Sequence, residues 1–84
     1  MDIKKLSNKA IAEAFVVNYA ANLDVTDEES ELMRRGLPAT ALFDIRCSIP
    51  SEREIEDMDE SAFEERINEC VATVLELMPS RIHE

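Results

Sequence analysis

The chain has 84 residues and a mass of 9.5 kDa, enough for one small domain (1–84) and too few for two. Acidic side chains number 19 against 9 Lys plus Arg, a formal net charge of −10, which excludes a conventional basic nucleic-acid binder and disfavours adhesion to anionic membranes. With 45% apolar residues and one glycine the chain is no solvating tail, yet no run approaches the roughly 18 apolar residues of a spanning helix.

Scarce glycine and few β-branched runs point to an all-α fold, a small bundle of three to five helices. Ser7 or Asn8 can cap a first helix reaching about Ala21 or Asn22. Its apolar positions Leu6, Ala10, Ala14, Val17 and Ala21 recur at helical spacing. Ile11, Phe15, Val16 and Tyr19 broaden that stripe beyond one face, so Phe15, Val16, Val17 and Tyr19 are expected at the interface of a homodimer.

Thr26-Asp27-Glu28-Glu29 has the form of a capping box, which starts a second helix or restarts the first. Gly36 is a left-handed stop after Arg34 and Arg35, two cations that suit the negative end of a helix and alternatively form a functional basic spot. Pro38 suits the first turn of a third helix, Ala39 to Cys47, which is expected to carry Leu42, Phe43 and Ile45 into the core until Pro50 closes it. Ser51-Glu52-Arg53-Glu54 is a second capping box, opening a short acidic helix to about Asp57. Asp59 or Ser61 caps the last helix, where Phe63, Ile67, Cys70 or Val71, Val74 and Met78 form one stripe before Pro79 stops it.

The charge is unevenly placed. Residues 1–25 hold three Lys and three acids and are neutral, so residues 26–84 carry the whole imbalance. Between Glu52 and Glu65 stand eight acids and one Arg, a net of −7 in 14 residues. Carboxylates three or four apart on a helix lie about 5–6 Å from each other, and Glu56, Glu60 and Glu64 form such a row if the helix is continuous. Duplex DNA carries roughly one charge per 1.7 Å of axis, so a row of carboxylates can imitate part of a phosphate strand. The simpler reading is a solvated face with acids gathered near helix N-termini.

Catalytic and metal chemistry find little support, and no cofactor is expected. Asp57-Met58-Asp59-Glu60-Ser61 opens like a calcium loop, but Ala62 stands at the turn glycine and Asn68 at the bidentate Glu. His83 is the sole histidine and has no paired nucleophile. Ser61 lacks the Asp-Ser-Leu context of acyl carriers and reads better as a cap. Cys47 and Cys70 lack the spacing of a zinc site and are expected to be small buried apolar groups, with a regulatory disulfide as the alternative. Residues 1–9 lack the apolar stretch of a secretory signal, so a cytoplasmic protein is expected.

Met33-Arg34-Arg35-Gly36-Leu37-Pro38, followed by Leu42-Phe43-Asp44-Ile45-Arg46-Cys47, resembles the Gam host-nuclease inhibitors of lambdoid phages. In that family a Gly-Leu-Pro is closely followed by Leu-Phe, an acid, two residues and Cys. The similarity resumes from Asp57 to Met78, through Phe63, Glu65-Arg66, Ile67 and Glu69. Glu28, Glu29 and Glu31 fall where the family's long helix is also acidic. The resemblance covers about two-thirds of the chain. It implies an all-helical dimer that binds RecBCD in the host cytoplasm and denies it DNA ends by steric and electrostatic competition, without catalysis and without binding nucleic acid itself. The residues expected to face that partner are Glu28, Glu29, Glu31, Glu52, Glu56, Asp57, Asp59, Glu60 and Glu64. Two other readings stay open: a different anti-defence inhibitor (anti-CRISPR or anti-restriction), and a plain acidic helical adaptor whose charge serves solubility.

Overall fold

Five α-helices and a short 3-10 turn make up residues 3–78, the part described by the computed structural model, and no strand occurs among them; Pro79 and His83 lie outside that range. The 3-10 turn Ile3–Lys5 precedes α1 (Asn8–Ala20), α2 (Thr26–Arg34), α3 (Ala39–Ser48), α4 (Glu52–Glu56) and α5 (Glu60–Leu77).

Local hydrogen bonds set most of these boundaries. Ser7 Oγ accepts from the Ala10 N–H at 3.1 Å and Asp59 Oδ1 accepts from the Ala62 N–H at 2.7 Å, each satisfying an orphan donor of a first turn. Ser51 Oγ accepts from the Glu54 N–H at 3.3 Å, and its hydroxyl donates to Glu54 Oε1 at 3.4 Å. The start of α2 differs from the expected capping box. Thr26 is the first helical residue rather than the cap, and both its N–H (3.0 Å) and its hydroxyl (2.6 Å) donate to Asp24 Oδ1. An ionised carboxylate is the stronger acceptor, so Asp24 captures the donors that Thr26 was expected to organise, and these bonds hold its carboxyl below the ordinary range. Glu29 then turns to another partner.

α1 and α2 end in the same way. At the end of α1, Leu23 N–H bonds Asn18 O at 2.9 Å and Asn22 N–H bonds Tyr19 O at 3.0 Å. At the end of α2, Leu37 N–H bonds Leu32 O and Gly36 N–H bonds Met33 O, both at 3.0 Å. Both are Schellman motifs, with Asn22 (φ 65°) and Gly36 (φ 108°) as the left-handed residues. The first helix therefore ends at Ala20, is turned aside at Asn22 and does not run on through Val25 and Thr26. Pro38 precedes the first turn of α3 as its cap, with ψ 146°. From α5, Arg66 Nη1 and the Cys70 thiol both reach Ser48 O, at 3.4 and 3.7 Å, and so satisfy an orphan carbonyl at the end of α3.

α1 packs along α5 and across α2, α3 packs on α5, and the 3-10 turn rests against α2. The centre of the core is Ile11, Phe15, Val16 and Val74, all fully shielded, surrounded by Leu32, Leu37, Leu42, Ile45, Ile67 and Val71. α1 buries Ile11, Ala12, Phe15, Val16 and Ala20, whereas Val17 and Ala21 of the expected stripe are exposed. The residues that widened the stripe are its true centre, because a helix flanked by α2 and α5 has apolar neighbours on more than one side.

The phase of α3 corrects two further expectations. Ala41, Leu42 and Ile45 face the core, so Phe43 and Cys47, one turn apart from each other, lie on the opposite side. Phe43 is 61% exposed and Cys47 is exposed, while Cys70 is buried and its thiol pKa is pushed up by desolvation. Two measurements follow. Phe15→Ala should cost about 3–5 kcal/mol in urea unfolding, as a large side chain removed from a closed core, whereas Phe43→Ala should stay within about 0.5 kcal/mol. In the native protein a thiol reagent should modify Cys47 rapidly and Cys70 only on unfolding; equal rates would place both thiols in one environment.

Candidate functional site

The nine expected partner-facing acids separate into two groups. Those of α2 are occupied within the fold. Glu28 Oε2 accepts from Asn18 Nδ2 at 2.8 Å, joining α2 to α1, and Glu29 Oε2 pairs with Arg46 Nη1 at 2.9 Å, joining α2 to α3.

Glu31 is not a surface acid at all. It is 4% exposed, and its oxygens accept from Arg34 Nε (2.8 Å), Arg34 Nη2 (2.7 Å) and Arg35 Nε (2.6 Å). These bonds hold its carboxyl down to about 2, with Arg34 the larger cause and Arg35 the second. Arg35 also donates Nη1 to Asn8 Oδ1 at 2.9 Å and Nη2 to the carbonyls of Leu6 (2.7 Å), Lys4 (3.3 Å) and Ile3 (3.4 Å). It was expected to complement a helix dipole or form a basic spot, and instead fastens the residues ahead of α1 to the end of α2. Only a planar five-donor fork can serve so many acceptors at once.

The acids of the second group are free of such duties, apart from the cap made by Asp59. Glu52, Glu56, Asp57, Asp59, Glu60 and Glu64 are all exposed, and none is in an ion pair among the described residues. They do not form one ladder, because α4 stops at Glu56 and α5 begins at Glu60. Glu52 and Glu56 share a face of α4, Glu60 and Glu64 share a face of α5, and the turn between them adds Asp57 and Asp59. Among the described residues no three such groups are placed to hold a metal ion. The arrangement is a field of separate charges rather than a chelate.

Of the four residues expected at a dimer interface, Phe15 and Val16 are wholly inside the chain's own core, which corrects their assignment. Val17 is 46% exposed, and Tyr19 is also exposed, its ring tilted against Phe15 with centroids 6.1 Å apart. Val17 lines a groove of about 480 Å³ with Ala20, Ala21, Glu52, Ile55 and Phe63. This groove was missed in the sequence. Its one signal is Ile55, the only apolar residue between Glu52 and Asp57.

The state of Glu31 gives a pH test. Its folded pKa lies below the ordinary 4.5, so its stabilising contribution is complete above that value and is lost as pH falls toward 2. Glu31→Gln should unfold at lower urea concentration than the parent at pH 7, and the gap should narrow steadily between pH 4.5 and 2. A gap constant over that window would show that the ionised carboxylate contributes nothing.

No protein-family model matches the chain, and neither a curated protein nor a solved structure is significantly similar to it.

Proposed function

We propose that the chain is a DNA-mimic inhibitor that binds a DNA-processing nuclease of the RecBCD type and blocks its access to DNA ends. The observation that carries this reading is the division of the acids: Glu28, Glu29 and Glu31 of α2 are held by internal partners, whereas the seven from Glu52 to Glu64 face solvent without ion pairs among the described residues. A small domain with net charge −10 repels itself, and leaving its densest charge unpaired raises that cost. A basic DNA channel would relieve it. The choice of enzyme rests on the resemblance at Met33 to Cys47. Gly36 and Leu37 close the α2 stop and Leu42 lies in the core, so that resemblance bears on fold while the acids bear on function. The mechanism is occupancy without chemistry, and it needs no second copy of the chain.

An adaptor whose acidity serves only solubility would leave a nuclease untouched, which makes the test direct. Purified protein should slow the degradation of linear duplex DNA by RecBCD. An exposed ion pair is worth about 0–1 kcal/mol, so Glu60→Gln alone should weaken protection only a few-fold. Changing Glu52, Glu56, Glu60 and Glu64 to Gln and Asp57 and Asp59 to Asn should weaken it about 100-fold, with helicity retained because Asn caps a helix as well as Asp does. Protection should also fade as salt shortens the reach of the field to about 8 Å. Unchanged degradation with the parent, or full protection by the sextuple variant at low salt, overturns the proposal.

A further inference from the structure

The groove beside Val17 is apolar where the surface around it is acidic. Ala20, Ala21, Ile55 and Phe63 form its walls with Val17, and Glu52 stands on its rim. It adjoins a second depression of about 580 Å³, sharing Ala20, Asn22 and Glu52 with it, and Tyr19 and Leu23 line that continuation. Val17 lines the first depression and Tyr19 and Leu23 the second, and the two meet at Ala20 and Asn22 around the end of α1. Helical spacing arranges the charge around them. Ile55 shares its side of α4 with Glu52, and Phe63 shares its side of α5 with Asp59 and Glu60. Arg53, the one cation of the segment, is two positions from Ile55 and so points away from the groove. Arg46, which lines the second depression, is already paired with Glu29.

We infer that this pair of depressions receives a basic amphipathic helix of a partner protein. The apolar groove suits the apolar anchor of a helix, and its continuation, where Asp24, Glu52 and Glu54 stand beside Tyr19 and Leu23, suits Lys and Arg flanking that anchor. Charge chooses among the other occupants. A second copy meeting groove to groove would set acid rim against acid rim, and duplex DNA or an anionic membrane would be repelled in the same way. The inference stands apart from DNA mimicry, which requires charge alone and no apolar contact.

The probe is a synthetic amphipathic peptide of Leu and Lys at helical spacing, compared by calorimetry and NMR with its scrambled isomer of equal charge. The amphipathic peptide should bind at least tenfold more tightly than the isomer and shift the methyl resonances of Val17, Ala21 and Ile55. Val17→Asn should weaken it about tenfold, the effect of denying burial to one valine without adding charge, with an unchanged helical spectrum because Val17 is exposed. Ala21→Gln fills the groove from a second exposed position and should act in the same direction. Equal binding of the scrambled isomer, or undiminished binding by both variants, overturns the inference. So does a parent dimer in sedimentation that Val17→Asn abolishes, since the face would then belong to a second copy. None of these readouts involves nuclease activity, so failure here and failure of the inhibitor reading are separately visible.

Discussion

The buried carboxylate of Glu31 is the constraint around which the N-terminal half is arranged. A carboxylate withdrawn from water must be paired or neutralised, and here it is paired twice, by Arg34 one turn onward at the helix surface and by the largely enclosed Arg35 beside it. Arg34 is half in solvent, but the Arg35 side chain is only 12% exposed, and its remaining donors reach three carbonyls ahead of α1 and the side-chain amide of Asn8, the first residue of α1. One ion pair therefore fixes both the end of α2 and the entry into α1. The direction of α1 in turn aims Ile11 and Phe15 at α5. Lysine at position 35 would keep the charge and lose the fork, so the geometry as well as the sign matters.

Helix ends proved far more legible in the sequence than helix faces. Ser7, Ser51, Asp59 and Gly36 act through bonds spanning three to five residues, and such bonds can be read from neighbours. The face of α1 could not be read that way. It is apolar nearly all round, and only the positions of α2 and α5 decide which residues are enclosed. α3 shows the same limit on a smaller scale, since Leu42 and Phe43 are adjacent, equally apolar and oppositely placed. Glu28, Glu29 and Glu31 are indistinguishable as letters. Glu28 and Glu29 are set apart by partners as distant as Asn18 and Arg46, which no local pattern contains, and Glu31 by a burial that its neighbours Arg34 and Arg35 do not announce.

The acids thus serve two different ends. Glu28 and Glu29 of α2 are structural links to Asn18 of α1 and Arg46 of α3, and Glu31 holds Arg35 at the end of α2 itself. Along α4 and the start of α5 the acids are solvated and mutually repulsive, and what holds that part of the chain in place is Ile55 and Phe63 resting against the core. A segment so charged keeps its shape because caps at Ser51 and Asp59 and two apolar contacts outweigh the repulsion between its carboxylates.

The pairing of α1 with α5 has a consequence for how the domain comes into being. Phe15 and Ile67 are 52 positions apart, and everything between them must be in hand before the central packing can close. An isolated helix as short as α1 is marginal in water. During synthesis its Ile11 and Phe15 have only the neighbouring α2 to lean on until α5 emerges. Long-range closure of this kind slows folding relative to a bundle of sequential neighbours and prolongs the exposure of sticky surface. The charge offers little cover, since the dense run from Glu52 to Glu65 emerges only as α5 begins, and the core closes late, once that longest helix exists.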